Sequence, residues 1–215
     1  MSVKDAIEWR KTVKIYDDNR AISSKELETI IEAGRMAPSS MGLEVCNIVV
    51  IKNKEIKAKF AYDVLNGSNV EKGLKCDTLV CLVGYNATYL VSDEFLRSRL
   101  HRNEALDEKK LSETIEKYRQ YLENHNNLTS YVDSQVYITT AFMTLQAADL
   151  KIGTTIIGGF NAHHSNDLLH ELGYIDKNIK HTVLLLALGK YDEKTNGATF
   201  ARKRISTEEF AKIVK

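Results

Sequence analysis

Three continuous apolar runs constrain the fold of this 215-residue chain more than any other feature of its sequence. Residues 47–51, 78–84 and 181–189 are predicted to form strands buried on both faces, because their apolar side chains continue without polar alternation. A shorter strand at residues 154–160 runs into two adjacent glycines. Strands and helical patterns do not alternate strictly, so the sequence favours a single α+β domain over a doubly wound parallel sheet.

Helical patterns account for much of the remaining chain. A first helix is predicted at residues 2–10, with a serine cap. A second begins at Ser23 or Ser24, with Glu26 at capping-box spacing from Ser23, and ends before Pro38, which disfavours helix in the preceding residue. Further helices are predicted at residues 54–64 and 162–172 and after Ser206.

Two central segments have contrasting patterns. Residues 131–150 are apolar or small on nearly every side, which indicates either a buried core helix or a helix at an oligomer interface. Residues 93–127 are highly charged, which is typical of a solvated amphipathic helix, although a lid over a pocket is an alternative. The apolar residues at helical spacing in the charged segment are Leu106, Leu111, Ile115, Tyr118 and Leu122.

The charge balance argues against several classes of partner. The net charge is +1, from 30 lysines and arginines against 29 aspartates and glutamates, so no basic footprint for nucleic acid or an anionic membrane is present. No apolar run approaches the length of a membrane span. The N-terminus lacks the apolar core of a signal peptide, and the protein is therefore expected to be cytoplasmic.

The cysteines and histidines predict no metal centre. Cys46, Cys76 and Cys81 are odd in number and lack CxxC spacing, which argues against a disulfide framework or a structural zinc site. His163 and His164 are adjacent and do not share one helix face, as ligands four residues apart would. The chain also lacks the dinucleotide-binding, phosphate-loop, zinc-protease and serine-hydrolase motifs.

Two basic clusters lie at opposite ends of the chain. Arg10, Thr12 and Lys14 are two residues apart and share one face in extended backbone, while residues 201–204 form the second cluster. Each cluster alone is typical of a basic surface turn. Combined with the hydroxyls of the 38–44 loop and the glycine pair, they suit flavin mononucleotide (FMN). Cations bind its phosphate, hydroxyls its ribityl chain and backbone amides its ring edge.

The order of these motifs resembles the nitroreductase family, the FMN-dependent NAD(P)H oxidoreductases that reduce nitro compounds and quinones. The resemblance implies one FMN-binding domain over residues 1–215 with a central mixed, mainly antiparallel sheet flanked by helices. It also implies a domain-swapped homodimer with FMN at the subunit interface, and it makes residues 93–127 a variable helical lid. Its anchors are residues 10–16, 37–40, 156–160 and 186–189, followed by residues 202–204.

The resemblance assigns the phosphate end of the cofactor site to the two basic clusters. Arg10, Arg202 and Arg204 are expected to hold the FMN phosphate, with Thr12 near the phosphate or the ribityl chain. Lys14 is expected to point at the N1/O2 edge of the flavin ring. A lysine there would stabilise the charge of the reduced flavin.

The resemblance assigns the ring end to residues from the middle of the chain. Asn69 and Lys72, in a loop before the second strand, are expected at the pyrimidine edge, where Lys72 would tune the flavin together with Lys14. The backbone amides of Gly158 and Gly159 are expected to face N5 and O4. The rest of the predicted set comprises Pro38, Ser39 and Ser40 from the other subunit, with Gly42, Ile157 and a largely solvent-facing Lys11.

The resemblance implies ping-pong kinetics in which NADH or NADPH reduces FMN and leaves before a nitroaromatic, quinone or similar acceptor binds. No protein residue is expected to act as a catalytic acid or base. One departure is that Val45 and Cys46 replace the family's usual Pro-Trp. A flavin or enone reductase on the same fold, and a flavin-binding or redox-sensing protein with little turnover, therefore remain alternatives. The sequence leaves the acceptor and the choice between NADH and NADPH open.

Overall fold

The computed structural model describes residues 1–102, 107–194 and 202–215. Within them, four strands form one sheet in the order β1-β2-β4-β3, and every neighbouring pair is antiparallel. A mixed, mainly antiparallel sheet was expected. The mixed part of that prediction is wrong, because no two neighbouring strands described are parallel. The parallel contact is an isolated bridge between Thr12 and Thr154. The strands are β1 (Cys46–Ile51), β2 (Thr78–Tyr85), β3 (Gly153–Ile157) and β4 (Lys180–Gly189).

Helices cover both faces of this sheet. The predicted serine caps are confirmed at α1 and α2, where the side chains of Ser2 and Ser23 accept hydrogen bonds from the backbone amides of Asp5 and Glu26. The helices are α1 (Val3–Trp9), α2 (Ser24–Arg35), α3 (Lys54–Asp63), α4 (Asn69–Lys75), α5 (Ala87–Leu90), α6 (Asp93–Leu100), α7 (Glu108–Glu123), α8 (Leu128–Asp149), α9 (Ala162–Glu171) and α10 (Thr207–Phe210).

The two central strands are buried on both faces, as predicted. Successive side chains of a strand point to opposite faces, so each strand contributes to two separate cores. Leu79 and Cys81 of β2 pack with Phe60 of α3 in one core. Val80 of β2 packs with Met143 of α8 in the other. The resulting architecture has three layers, with the sheet between two groups of helices.

The outer strand β1 differs from its prediction. Its side chains from Cys46 to Val50 are half-buried and only Ile51 is buried, whereas burial on both faces was expected. The strand lies at an edge of the sheet, so in the described part of one chain no strand neighbours its outer side. The long helix α8 is also incompletely covered, because Tyr137 and Phe142 are exposed while its inner face packs in the core.

The charged segment at residues 93–127 forms two helices, α6 and α7, and not the single helix predicted. Of its predicted apolar positions, Leu106 lies outside the described residues. Leu111, Ile115 and Leu122 pack with Leu43 in a third core. This charged segment, called the insertion below, therefore packs against the 38–44 loop and does not lie free in solvent.

All three cysteines are free thiols; Cys76 and Cys81 are buried, and Cys46 is half-buried. Burial raises the pKa of the Cys46 thiol to about 11 and that of Cys76 to about 12, and it raises the pKa of Cys81 further. In the described part of the chain, no cluster of histidine, cysteine and carboxylate side chains could hold a metal ion. None of the helices described has the length and apolar character needed to cross a membrane.

Candidate functional site

The basic segment after α1 lies beside the edge strand β3. The backbone amide of Val13 donates to the carbonyl of Thr154 at 3.0 Å, and the Thr155 hydroxyl donates to the carbonyl of Val13 at 2.6 Å. These bonds hold the segment in extended conformation, so Val13 is fully buried while Thr12 and Lys14 are exposed. The predicted face of alternate residues is thus directed away from the core.

The C-terminal arginines lie next to Arg10. Arg202 donates from Nη1 to the carbonyl of Ile7 at 2.7 Å and from Nη2 to that of Glu8 at 2.6 Å, at the C-terminal end of α1. Burial, followed by the charges of Arg202 and Arg204, lowers the pKa of Arg10. Among the described residues, no carboxylate lies within ion-pair distance of these three arginines. Three cations are therefore concentrated at a point where the described part of the chain supplies no carboxylate to neutralise them.

A second group of polar side chains is centred on α4. Asn69 and Lys72 were predicted in a loop, and this was wrong, because both lie in that helix. Lys72 is only 6% exposed, and its Nζ donates to Asn69 Oδ1 at 2.8 Å and to Ser68 Oγ at 3.1 Å. Burial and then the charge of Lys14 lower the pKa of Lys72. Two lysines from distant parts of the chain are thus close together.

The glycine pair after β3 adjoins this lysine group. Asn69 Nδ2 donates to the carbonyl of Gly159 at 3.2 Å. Gly158 and Gly159 are exposed, whereas Ile157 before them is buried. A Cβ atom built on Gly158 would have its nearest neighbour, Leu184 Cδ2, at 4.0 Å, so the space beside the backbone is open. A flat ligand could approach the main chain there.

The 38–44 loop occupies a different part of the subunit. Ser39 Oγ accepts from the amide of Glu44 at 2.9 Å, and the amide of Ser40 donates to Gln135 Oε1 at 2.8 Å. The loop leads into β1, while Arg10 and Lys14 lie near β3 at the opposite edge. Three strand spacings, about 14 Å, separate those edges. One chain therefore does not bring Pro38, Ser39, Ser40 and Gly42 to its own basic clusters.

Lys11 is directed away from the other basic residues of its segment. Its Nζ lies 3.8 Å from a carboxylate oxygen of Glu193 and 5.8 Å from the centre of the Tyr191 ring. The same carboxylate accepts a hydrogen bond from Trp9 Nε1 at 3.2 Å. Its charge is consequently paired, and the side chain is half-buried, whereas a largely solvent-facing one was expected.

The structure also brings the insertion to the 38–44 loop, which the sequence did not predict. Arg102 Nη1, just after α6, lies 2.8 Å from Glu44 Oε2, and Arg99 on α6 lines a cavity of about 320 Å³ beside that loop. Charged residues at helical spacing are the usual pattern of a solvated face. No local signal therefore distinguished these two arginines from their neighbours.

The fold and the sequence can be compared with those of known proteins. The chain superposes on the crystal structure of a nitroreductase family protein from Streptococcus pneumoniae with a TM-score of 0.81, at 21% identity and covering 99% and 100% of the two chains. A structure from Exiguobacterium sibiricum, solved in complex with FMN, gives 0.76 at 20% identity, covering 100% of this chain and 98% of that one. These similarities establish the fold class that the resemblance implied.

Sequence comparison then identifies the family. The nitroreductase family matches residues 7–190, and the chain therefore belongs to this family of oxidoreductases. A protein from Helicobacter acinonychis, named oxygen-insensitive NADPH nitroreductase, is 28% identical over 192 residues, which cover 87% of this chain and 86% of the relative. The resemblance predicted from the four ordered motifs is confirmed.

Proposed function

We propose that this protein is an FMN-dependent oxidoreductase that takes reducing equivalents from NADH or NADPH and passes them to nitroaromatic, quinone or similar small acceptors by a ping-pong mechanism. The observation that carries the proposal is the convergence of Arg10, Arg202 and Arg204 from the two ends of the chain. Family membership and the NADPH nitroreductase activity named for the Helicobacter relative support it.

The chemistry of the donor set fits FMN. Arg10, Arg202 and Arg204 supply guanidinium groups for a dianionic phosphate, which such groups bind through charge-assisted hydrogen bonds. The Thr12 hydroxyl is exposed on the same segment as Arg10 and suits the ribityl or phosphate oxygens. The positive charge of this group has no carboxylate partner among the described residues, so an anion would lower its electrostatic energy.

The residues predicted for the ring end of the cofactor site fit a flavin ring. Lys14 and Lys72 concentrate positive charge where negative charge on the ring edge would be stabilised. The Asn69 amide is held by Lys72 and Gly159, and the open backbone at Gly158 allows close approach of a planar group. FMN, when bound, would supply hydride transfer between the nicotinamide and the acceptor.

We further propose that the site is completed by a second copy of the chain in a domain-swapped homodimer. The 38–44 loop lies at the sheet edge opposite to the basic clusters, so its Ser39 and Ser40 would serve the partner's flavin. Apolar side chains that a partner could cover are exposed on α8 and in the C-terminal segment, including Phe142, Phe210 and Ile213. The half-buried edge strand β1 is a further surface open to pairing.

A flavin-binding or redox-sensing protein with little turnover is the second candidate. The observation that favours it is the replacement of Pro-Trp by Val45 and Cys46. Val45 is buried in the core of the insertion, and Cys46 lines the neighbouring cavity. An enone or flavin reductase on the same fold would use the same cofactor site with another acceptor.

Flavin binding and reduction test these proposals. Protein purified with added FMN should be yellow, and anaerobic NADH or NADPH should bleach it. Arg10→Ala should raise the dissociation constant for FMN by about 10- to 100-fold, whereas Arg20→Ala, on an exposed turn beside Asp17, should leave it unchanged. A colourless protein that rejects FMN contradicts the first proposal. Flavin that binds but resists both nucleotides supports the second candidate.

A further inference from the structure

The cavity beside the 38–44 loop contains a cation outside the predicted cofactor set. It lies between α2, α8 and the start of β1, has a volume of about 320 Å³, and includes Arg99 of α6 in its wall. Apolar side chains make up much of the remaining wall, among them Ile31, Ile48 and Met143. A cavity of this size and character suits a single-ring organic molecule.

Arg99 is held in place without using its full hydrogen-bonding capacity. Its Nη2 donates to the Tyr85 hydroxyl at 3.0 Å, and its guanidinium lies 5.0 Å from the centre of the Phe95 ring and 5.5 Å from that of Tyr85. Its Nε is buried and has no hydrogen-bond partner among the residues that the structure describes. That Nε is itself closed to a ligand. Arg99 is half-buried and lines the cavity, so an anion would meet the accessible part of its guanidinium.

The other charges on the cavity wall are already paired. Glu44 forms its ion pair with Arg102 at 2.8 Å, and Arg35 forms one with Glu32 at 2.6 Å. In the part of the chain that the structure describes, Arg99 has no carboxylate within ion-pair distance. Of the charged side chains described in this wall, Arg99 is consequently the one without an ion-pair partner.

A second unpaired polar atom lies in the same wall. Asn47 Oδ1, on the edge strand β1, is buried, and no described residue forms a hydrogen bond with it. Gln135 of the same wall, by contrast, is occupied, accepting from Ser40 and donating to the carbonyl of Tyr131. Because Asn47 Oδ1 is buried and can only accept hydrogen bonds, it is the Arg99 guanidinium, and not Asn47, that the wall presents to an anion.

We propose that this cavity recognises a carboxylate on the electron acceptor, so that the preferred acceptors are planar aromatic acids. The planar guanidinium matches a carboxylate, and the apolar wall would hold the ring. This inference rests on the proposed function, because the cavity includes Ser39, which is assigned to the flavin of the partner subunit. The test reaction reduces a nitro group to a nitroso group and water, consuming one NAD(P)H and one proton.

The test compares 4-nitrobenzoate with its neutral methyl ester. The wild-type protein should show a higher kcat/KM for the acid, and Arg99→Gln should lower the acid-to-ester ratio by about 10- to 100-fold. Arg99→Lys, which keeps the charge but loses the planar fork, should restore part of that ratio. Arg97→Gln is the matched control, because Arg97 is on the same helix but pairs with Asp93 and Glu108.

Binding without turnover separates this inference from the proposed function. Calorimetry on FMN-supplemented, oxidised protein should show tighter binding of benzoate than of benzamide, and Arg99→Gln should abolish the difference. Equal binding of the two probes, or a preference that survives Arg99→Gln with folding intact by circular dichroism, overturns the inference. If benzoate binds as expected but neither nitro compound is reduced, the proposed function fails and the anion site stands.

Discussion

Glu26 and Lys190 join the beginning of α2 to the end of β4. Nζ of Lys190 donates to Glu26 Oε1 at 2.6 Å, and Oε2 of the same carboxylate accepts from the amide of Ser23 at 2.9 Å. The Lys190 hydrogen bond, followed by that of the Ser23 amide, lowers the pKa of Glu26 to about 2. One carboxylate thus forms part of a helix cap and also an ion pair with a residue distant in sequence.

The Glu26–Lys190 ion pair predicts that the free energy of unfolding depends on pH. The folded-state pKa of Glu26 is below its ordinary value of 4.5, so its contribution is present above pH 4.5 and is lost as the pH falls towards 2. Glu26→Gln should lower the free energy of unfolding at pH 7 by about 1–3 kcal/mol and flatten the profile between those values. Urea unfolding across this pH range measures the free energy of unfolding, with Glu28→Gln, an exposed carboxylate of the same helix, as control. An unchanged profile in Glu26→Gln contradicts the assignment.

The glycines around β3 should separate folding from ligand binding. A Cβ atom on Gly153 would lie 2.5 Å from side-chain atoms of Val13 and Tyr191, so Gly153→Ala should destabilise the fold by about 1–3 kcal/mol. Gly158→Ala meets nothing closer than 4.0 Å and should change stability by less than about 0.5 kcal/mol. It should nevertheless weaken FMN binding. Urea unfolding and a flavin titration of both variants check this, and unaltered FMN affinity in Gly158→Ala would argue against a ring at this turn.

The coupling between Lys14 and Lys72 should be measurable directly. Because the charge of Lys14 lowers the pKa of Lys72, Lys14→Met should raise it. The same change should lower the reduction potential of bound FMN, since positive charge near the ring stabilises its reduced form. Nitrogen NMR of the lysine side chains and dye-linked potentiometry report the two effects. Lys11→Met, which removes an equal charge paired with Glu193, should have the smaller effect on both, and the reverse order would refute the assignment.

The C-terminal segment should govern assembly. Phe210, Ile213 and Val214 are each more than 80% exposed in one chain, so a partner that covers them would gain hydrophobic stabilisation. Deleting residues 205–215, which leaves Arg202 and Arg204 in place, should raise the dimer dissociation constant at least about 100-fold. Analytical ultracentrifugation measures this constant, and Lys212→Ala is the control within the same segment. A truncated chain that remains dimeric at the same concentration is evidence against a role of the C-terminal segment in the dimer.

Features fixed by local sequence were predictable. Uninterrupted apolar runs identified the buried strands β2 and β4, and serines at the correct spacing identified the caps of α1 and α2. The convergence of Arg10 with the C-terminal arginines depends on contacts across the whole chain. The chemistry of the two basic clusters and the order of the motifs suggested a shared anion site, but neither gives the contacts that bring these arginines together.

Features that depend on tertiary contacts were missed. Asn69 lies among residues typical of turns, yet the backbone there forms α4, where Lys72 is buried beside Asn69 and the Gly159 turn. Strand β1 has a core-like composition, but its place at the sheet edge leaves it half-covered. The position of Arg99 in a cavity wall depends on how the insertion packs, which periodicity does not report.

The burial of the three thiols bears on chemical durability. Reduced flavins that react with oxygen release hydrogen peroxide, which oxidises thiolates and spares protonated thiols. With a pKa of about 11 for Cys46, roughly one thiol in ten thousand is ionised at pH 7, and the other two are ionised less. The three thiols should therefore stay reduced during the proposed flavin turnover in air, whereas the exposed Met36 has no such protection.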